Sequence, residues 1–195
     1  YVHYEGPDER GVDVALLYDS TQVNILNSKP LYVDIQGDNT RDILYVCCLV
    51  NRNDTIHAMV CHLPSKLGGS GATQWKRDMA KQVLQQEIDS ILSLHSSANI
   101  VVMGDMNSEP IDDLAGLINV TKYLEKEGKG THKYKGIWSC LDQFYVSSHL
   151  LEESSVSIFS PEWLLEEDTK YLDYQPKRTY AGYRYHDGYS DHLPI

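Results

Sequence analysis

The sequence is poor in basic residues, and it has no hydrophobic run long enough to cross a bilayer. Its 195 residues contain 17 Lys and Arg against 28 Asp and Glu, which gives a formal net charge of −11. Proteins that bind duplex DNA usually carry a basic face that neutralises phosphates, so this composition disfavours duplex DNA as a partner. The longest apolar run, Ile43–Val50, has eight residues. A transmembrane helix needs about 20 residues, so no transmembrane segment is expected.

Cysteine is also scarce, and its spacing indicates neither a metal site nor a disulfide framework. The four cysteines are Cys47, Cys48, Cys61 and Cys140. Three of them lie inside apolar runs and no pair has CxxC spacing, so we expect buried thiols. The first ten residues show no basic stretch followed by an apolar one, and hence no visible signal peptide. The sequence lacks a GxSxG motif, which argues against a serine hydrolase.

What is present is typical of one globular α/β domain, with 42% hydrophobic and 23% charged residues. Apolar positions at spacings of three to five predict a long amphipathic helix over Gln74–His95, and a weaker pattern predicts a short helix over Ile111–Tyr123. Apolar and β-branched runs between Asp, Asn, Pro and Gly predict the strands Val12–Tyr18, Val23–Asn27, Asp42–Val50, Asp54–Cys61, Asn99–Gly104, Ile137–Ser147 and Ser155–Phe159. Strands that alternate with helices but include hairpins predict a mixed α/β or α+β layered domain.

The first candidate site residue, His62, follows a strand that should pair in parallel. The strands Asp54–Cys61 and Asn99–Gly104 flank the long helix, and such a unit favours parallel pairing. Parallel strands end at the same edge of a sheet, so His62 and Asp105 should meet there. The segment after His62, PSKLGG, offers a lysine and free backbone N–H groups that suit an anion. The alternative is a histidine that ends a strand beside a flexible loop.

The segment GDMNSEP, from Gly104 to Pro110, carries Asp105 and Asn107 immediately after a buried strand. A carboxylate in this place can act as a general base, while the amide orients a substrate oxygen. The alternative is an Asp and Asn turn that closes the strand.

Two acidic positions later in the chain complete the set of candidates. Asp142 interrupts an apolar strand, and a buried carboxylate needs a histidine or a cation as partner. An edge-strand Asp facing solvent is the alternative. In GYSDHLPI, Asp191 can bind a divalent cation with other carboxylates, which leaves His192 free to bond to Asp142. The alternative is that Asp191 and His192 are polar residues on the surface.

Together and in this order, these motifs resemble the endonuclease/exonuclease/phosphatase superfamily of DNase I-like phosphoesterases, especially its bacterial secreted or envelope branch. The matching segments are RGVDVALLY, HLPSKLGG, the helix with Arg77, IVVMGDMNSEP, GTHKYKGIWSCLDQFYVS, RTYAGYRY and GYSDHLPI. The resemblance implies a four-layer α/β sandwich in which residues 1–195 belong to one domain. It also implies hydrolysis of a phosphoester with Mg²⁺ or Mn²⁺, and a periplasmic, secreted or envelope location.

The resemblance further implies roles for individual residues. Asp191 would help bind the metal, and His192 would be a catalytic histidine held by Asp142. Asp105 would orient or activate the attacking water, and Asn107 and His62 would contact the scissile phosphate; whether Asp105 or His192 is the base stays open. Candidates for binding substrate are Arg10, Lys66, His132 and Tyr134, and lesser ones are Arg77, Lys135 and Tyr180.

One part of the family pattern has no counterpart in this sequence. The family carries an Asn and a metal-binding Glu upstream of the segment that matches RGVDVALLY, which begins here at Arg10. We therefore expect the chain to hold about the C-terminal two-thirds of the domain, incomplete at its N-terminal side. Alone, it should bind metal poorly and expose an apolar sheet edge.

Two functional hypotheses follow. The first is a metal-dependent phosphodiesterase, nuclease or phosphatase whose substrate is a small phosphoester, a lipid headgroup or a short single strand. The second is a catalytically silent binding or scaffold domain of the same fold that lacks the metal-binding Glu.

Overall fold

The fold is built on one seven-stranded sheet and one long helix. The computed structural model describes residues 1–110, 113–114, 116–152 and 155–195. The strands are β1 (Val2–His3), β2 (Ala15–Leu16), β3 (Val23–Leu31), β4 (Ile43–Val50), β5 (Asp54–His62), β6 (Asn99–Asp105), β7 (Asp113–Leu114), β8 (Leu117–Asn119), β9 (His132–Tyr134), β10 (Ile137–Ser139), β11 (Asp142–Val146), β12 (Leu165–Asp168), β13 (Asp173–Pro176), β14 (Tyr180–Ala181) and β15 (Arg184–Tyr185). The helices are α1 (Ser70–Leu94) and α2 (Lys122–Lys126), with short 3₁₀ helices at Ser148–Leu150 and Glu162–Leu164.

The order of strands in the large sheet is β3-β4-β5-β6-β11-β8-β7. β5 and β6 are parallel and are joined by α1, as the strand–helix–strand pattern predicts. β4 and β5 form a hairpin, and Asn51 and Arg52 in its turn have φ values of 49° and 61°. The other pairs in this sheet are antiparallel. β11 therefore lies beside β6 and brings a later part of the chain to the centre of the sheet.

Helix α1 covers one face of this sheet and forms the main core. Leu84 and Ile88 of the helix are completely buried and belong to the same cluster as Met59, Ile100 and Val102 from the strands. Full burial of an aliphatic side chain contributes about 1.5–3 kcal/mol, so this face supplies much of the stability of the fold.

The opposite face of the sheet has a smaller apolar cluster. Leu44, Val46 and Cys48 of β4 are buried there, and half-buried side chains such as Val14 and Leu16, next to and within β2, pack against them. Side chains alternate between faces along a strand, so His62, two residues after Val60, also belongs to this face. The candidate site is therefore on the side of the sheet away from α1.

Three of the predicted elements are wrong. The described part of Ile111–Tyr123 holds β7, β8 and the start of α2 instead of one helix, and Gly116 within it has a φ of 79°, which ends helical geometry. The apolar run Ile137–Ser147 is divided into β10 and β11, which belong to different sheets. Residues 155–159 have no regular secondary structure.

The expectation of buried thiols holds for three of the four cysteines, because Cys47 is only half-buried. All four cysteines are free, and Cys48, Cys61 and Cys140 are buried. Within the described ranges, no helix combines the length and the apolar character needed to cross a bilayer.

Candidate active site

Three candidate residues lie side by side in one row of the sheet. His62 at the end of β5 is in register with Asp105 at the end of β6, and Asp105 is in register with Asp142 at the start of β11. The Nε2 atom of His62 lies 3.5 Å from Oδ2 of Asp105. Because residues in register on adjacent strands have side chains on the same face, the sheet itself assembles this part of the site.

A glycine makes the close approach of β5 and β6 possible just before Asp105. Gly104 has a φ of 128°, and a Cβ atom at this position would overlap the carbonyl oxygen of Cys61. Because of this positive φ and this contact with the backbone, any other residue at position 104 would be strained. The glycine of the GDMN motif therefore sets the position of the aspartate that follows it.

Asn107 holds the carboxylate of Asp105 and also the start of the loop after β5. Its backbone N–H donates to Oδ1 of Asp105 (2.8 Å), and its side-chain amide donates to Oδ2 (3.1 Å) and to the carbonyl oxygen of Leu63 (2.9 Å). Asn107 is buried and has a φ of 47°, a conformation that Asn tolerates better than most residues. Its amide N–H groups are thus used to orient Asp105.

His192 is brought to the row by the C-terminal segment. Its Nδ1 atom is 2.7 Å from Oδ2 of Asp142, and its Nε2 atom is 4.0 Å from Oδ2 of Asp105. The backbone of His192 forms a β-bridge with His132, and Leu193 N–H donates to the carbonyl oxygen of Thr131 (2.7 Å). Asp142 thus has the histidine partner that a carboxylate within an apolar strand requires, and His192 has one nitrogen left toward the cleft.

Burial and neighbouring charges shift the pKa values of these groups in different directions. Burial, together with the charge of Asp142, raises the pKa of Asp105 to about 6. Burial lowers the pKa of His62 to about 4, and the positive charge of Arg41 adds to this shift. Burial alone would lower the pKa of His192, but the hydrogen bond and charge of Asp142 raise it above its ordinary value. The site therefore combines a carboxyl group that titrates near neutral pH with a histidine that favours its protonated form.

Arg41 supports this site, and no motif in the sequence indicated it. Its buried guanidinium donates to the carbonyl oxygens of His62 and Leu63 (both 3.0 Å) and to the carboxylate of Asp8 (2.8 Å). It thereby fixes the end of β5, where His62 is attached. A single Arg ahead of an apolar strand has no characteristic spacing, so sequence reasoning could not find it.

The row lies in a cleft of about 1050 Å³. Nine of the ten predicted site residues line it: His62, Lys66, Asp105, Asn107, His132, Tyr134, Asp142, Asp191 and His192. We call His62, Asp105, Asn107, Asp142 and His192 the floor of the cleft.

Four other candidates, Arg10, Arg77, Lys135 and Tyr180, are not among the residues that line this cleft. The structure does not bring Arg10 into it, because the Arg10 guanidinium donates to both carboxylate oxygens of Asp8 (3.0 and 2.7 Å) and lines a neighbouring cavity. Arg77 is completely buried and binds carbonyl oxygens of Pro64, Ser65 and Ser70, so it fixes the loop before α1.

One wall of the cleft is the β9–β10 hairpin, whose two faces differ. His132, Tyr134, Ile137 and Ser139 face the cleft. On the other face, the buried Lys133 ammonium donates to Oδ2 of Asp173 (3.1 Å) and to the carbonyl oxygen of Tyr174 (2.8 Å), and lies 3.5 Å from Asp168. These contacts attach the hairpin to the β12–β13 hairpin.

The donor set around Asp191 fits a divalent cation. Ligand atoms of Asp191, His132 and His192 lie within 4.8 Å of one another. Among the residues that the structure describes, none donates a hydrogen bond to the exposed Asp191 carboxylate, which lines the cleft. Mg²⁺ is commonly bound by one or two carboxylates with water and substrate phosphate oxygens completing its coordination, and imidazole also suits other divalent metals. Among the described residues, this group holds no second carboxylate, and its candidate histidine ligand is His132, because His192 is already bonded to Asp142 through Nδ1.

Comparison with known proteins places this geometry in context. The sequence model described as "Endonuclease/Exonuclease/phosphatase family" matches residues 1–195. No curated protein sequence matches the chain. Three solved structures with similar folds are the human Nocturnin catalytic domain with bound sulfate anion, truncated TDP2 from Caenorhabditis elegans, and TDP2 from D. rerio humanized by 14 mutations.

The likeness to these structures is one of fold. The TM-scores are 0.53, 0.57 and 0.52, at sequence identities of 17%, 13% and 18%, and each match covers 89% of this chain. The matches cover 58%, 65% and 66% of the other chains, so this chain spans less than two-thirds of the length of each. The mixed α/β class of the DNase I-like type is thus confirmed.

Proposed function

The chain belongs to the endonuclease/exonuclease/phosphatase family, and on that premise we propose that it is a metal-dependent hydrolase that cleaves a phosphoester by attack of water on phosphorus. One observation carries the proposal. The floor places a largely buried carboxyl group, Asp105, beside a histidine that is held 2.7 Å from a second carboxylate, Asp142, and all three line one open cleft. This is the donor and acceptor set that general acid–base catalysis requires.

We assign the general base to Asp105. With a pKa of about 6, its carboxyl group is mostly ionised above neutral pH and still basic enough to accept a proton from water. Asn107 donates to both of its oxygens and so fixes its orientation toward the cleft. The oxygen atoms keep lone pairs for a water molecule, because a carboxylate accepts about four hydrogen bonds.

His192 would act on the phosphate side. Its bond to Asp142 occupies Nδ1 and favours the protonated ring, which leaves an Nε2–H group that donates toward the cleft. That group can stabilise charge on a phosphoryl oxygen or give a proton to the leaving oxygen. His62, with a pKa lowered to about 4, is neutral and would donate one hydrogen bond to the phosphate without adding charge.

We assign the metal to the Asp191 side of the cleft. A divalent cation bound there would polarise the phosphoryl group and offset the charge that develops on its oxygens. His132, whose pKa is lowered to about 4 by burial and by the charge of His192, stays neutral and able to ligate. The carboxylate of Asp191 suits either of the expected ions, Mg²⁺ or Mn²⁺, and the imidazole of His132 favours Mn²⁺ of the two because it is a transition-metal ligand.

The test is hydrolysis of bis(p-nitrophenyl) phosphate and p-nitrophenyl phosphate by the chain in Mg²⁺ or Mn²⁺ against EDTA. We expect turnover that requires metal and that falls at least about 100-fold in His192→Ala and in Asp105→Asn. His186→Ala, at an exposed histidine outside the cleft, is the matched control and should keep full activity. Calorimetric titration of Mn²⁺ into wild type and Asp191→Asn tests the metal assignment separately from turnover.

The outcomes separate the two functional hypotheses. Metal-dependent turnover lost in both floor variants supports the hydrolase. No turnover by the folded chain, together with Mn²⁺ binding that Asp191→Asn does not change, would contradict it and would favour a catalytically silent binding domain. Turnover that persists in both floor variants would mean that the assigned residues are the wrong ones.

A further inference from the structure

The mouth of the cleft carries three large apolar side chains that remain exposed. Leu67 is 85% exposed, Ile137 is 69% exposed and Tyr134 is 63% exposed, and all three line the cleft. Single exposed apolar residues are common on protein surfaces and need no explanation. Here Tyr134 and Ile137 are paired across the β9–β10 hairpin and Leu67 lines the same opening, and apolar residues grouped around one opening are typical of a binding site. We call Leu67, Tyr134 and Ile137 the apolar rim.

The β9–β10 hairpin places the rim next to the floor. Ile137 is in register with Tyr134, and Ser139 is in register with His132, so all four side chains share the face that lines the cleft. His132 contacts the floor through its ring, whose centroid is 4.8 Å from that of His192. Two residues along a strand correspond to about 6–7 Å. The apolar rim therefore begins about 6–7 Å along the strand from His132, whose ring contacts that of His192.

The hairpin cannot bury its apolar tip elsewhere without losing other contacts. Lys135 and Gly136 have φ values of 49° and 81°, the signs that a two-residue type I′ turn requires. The ring of Tyr171 lies so close to Gly136 that a Cβ atom at this position would overlap it. With Lys133 also bonded on the back face, the rim is presented as a fixed wall.

The charge of the cleft disfavours a substrate with many phosphates. Four carboxylate residues line it, namely Asp105, Glu109, Asp142 and Asp191. Among the described residues of its lining, Lys66 is the one lysine or arginine, and its ammonium is paired with Glu109 at 3.1 Å. Nucleic-acid grooves instead provide a track of positive charge for successive phosphates. One phosphate at the floor with an uncharged, apolar substituent at the mouth matches this distribution better.

From these observations, and resting on the proposed phosphoesterase function, we propose that the apolar rim seats a hydrocarbon chain esterified to the phosphate that binds at the floor. The substrate class is therefore an amphiphilic phosphoester with an alkyl group close to phosphorus. Two of the three rim side chains are aliphatic, which suits an alkyl chain. Such an ester is either a soluble monomer or a lipid in a membrane surface, and the experiment distinguishes these sources.

Binding of n-alkyl phosphates measures the seat without requiring turnover. We would titrate methyl, butyl, hexyl and octyl phosphate, each as a monomer, into the chain with Mn²⁺ by calorimetry. Burial of each added CH₂ should lower Kd about three- to fourfold until the rim is covered. The readout is the ratio of Kd values for methyl and octyl phosphate within one protein, so that changes at the phosphate position cancel.

The variants test the rim directly. The double variant Leu67→Ser with Ile137→Ser should reduce the dependence of log Kd on chain length by at least about half, because two aliphatic contacts are lost. Leu17→Ser is the matched control: Leu17 is 81% exposed but does not line the cleft, so the dependence should not change. Because these are exposed positions, far-ultraviolet circular dichroism should show the same fold in all three proteins.

Several outcomes would overturn the proposal. One is a Kd that does not depend on chain length in the wild type, and another is an unchanged dependence in the double variant. A third is tighter binding of a dT₄ oligonucleotide than of octyl phosphate, with loss of that binding in Tyr134→Leu, which would assign the mouth to a stacked base.

A membrane arm identifies the source of the chain. Sedimentation with vesicles of phosphatidic acid in phosphatidylcholine, lost in the double variant, assigns the rim to a lipid. Octyl phosphate binding without vesicle binding assigns it to a soluble ester. If alkyl phosphates bind as expected but nothing is hydrolysed, the proposed hydrolysis fails and the seat stands. If a phosphoester is hydrolysed but Kd does not depend on the length of the alkyl chain, the proposed hydrolysis stands and the proposal for the rim fails.

Discussion

The floor and the apolar rim of the same cleft are built in different ways. Asp105, Asp142 and His62 project from ends of adjacent strands in the central sheet, and each has a partner within 3.5 Å. Tyr134 and Ile137 project from the tip of a two-stranded hairpin and are mostly exposed. The sheet positions groups that must have a fixed geometry for catalysis. The hairpin presents groups that need only to offer contact area. A change in the floor should therefore alter turnover, and a change near the rim should alter binding.

The largest effect should come from Asp142→Asn, which keeps the shape of the floor but removes one charge. An amide cannot favour the protonated form of His192, so we expect kcat to fall about 10²–10⁴-fold with little change in KM. The measurement is metal-dependent hydrolysis of bis(p-nitrophenyl) phosphate. Asp187→Asn, at an exposed aspartate outside the cleft, is the control and should keep the wild-type kcat.

A second readout separates this positioning role from a structural one. Burial lowers the pKa of His192, and Asp142 is the main group that raises it. The pKa of His192, followed by NMR of its ring protons, should therefore fall in Asp142→Asn. An unchanged pKa, or a loss of activity below about threefold, would show that Asp142 does not control His192.

The back of the hairpin should show the next largest effect. Lys133→Met removes the ammonium that joins β9 to Asp173 and Tyr174, and leaves the buried Asp168 without its nearby cation. We expect the free energy of unfolding to fall by about 2–3 kcal/mol, less than for a fully buried pair because Asp173 is half exposed. Urea unfolding measures this loss, and Lys129→Met at an exposed ion pair should change stability by less than about 1 kcal/mol.

The same variant also tests whether the hairpin acts on binding. Once the anchor is lost, the rim is no longer fixed, so KM for an alkyl phosphoester should rise more than kcat falls. A variant that is destabilised but keeps its KM would show that Lys133 contributes to stability alone. An equal loss of kcat would indicate that the hairpin also positions the floor through His132.

Local sequence patterns predict the part of the floor that depends on the parallel unit. The apolar runs of β5 and β6 with the amphipathic α1 between them indicate parallel pairing, so His62 and Asp105 are expected at one edge. Asp142 reaches the same row through antiparallel pairing of β11 with β6, 37 positions along the chain from Asp105. A partner at that separation leaves no periodic signal, so the pairing of Asp142 with His192 was indicated by the need of a buried carboxylate for a partner and by the family resemblance.

The rim was less accessible to sequence reasoning, because the break between β10 and β11 resembles the middle of one long strand. Ile137–Ser147 is apolar enough for one long strand, yet Cys140 and Leu141 separate β10 from β11, and Leu141 accepts a hydrogen bond from Met106 N–H instead. The Lys135–Gly136 turn lacks the Asn-Gly signal that would indicate a tight hairpin. Arg41 was missed for a similar reason, since its role depends on two carbonyl groups that only the folded chain brings near.

The smallest predicted effect is a gain in the free energy of unfolding, which we expect for a substitution in the floor but not for one in the rim. Asp105 has a pKa of about 6 in the folded chain, above its ordinary value of 3.8, so the folded state binds a proton more tightly than the unfolded state does. Stability should then fall as pH rises from about 4 to about 6, because deprotonation leaves a buried charge next to Asp142. Asp105→Asn removes this charge and should raise the free energy of unfolding at pH 7.5 by about 1–2 kcal/mol.

Urea unfolding of wild type and Asp105→Asn at pH 7.5 and pH 4 tests this sign. The two proteins should differ at pH 7.5 and converge at pH 4, where Asp105 is protonated in the fold. Ile137→Ser, at the exposed rim, should show the same small difference from wild type at both pH values. If Asp105→Asn is less stable than wild type at pH 7.5, the hydrogen bonds from Asn107 outweigh the buried charge, and Asp105 would be a structural group. A more stable but inactive variant would instead mean that the fold tolerates an unfavourable charge at this position because the reaction requires it.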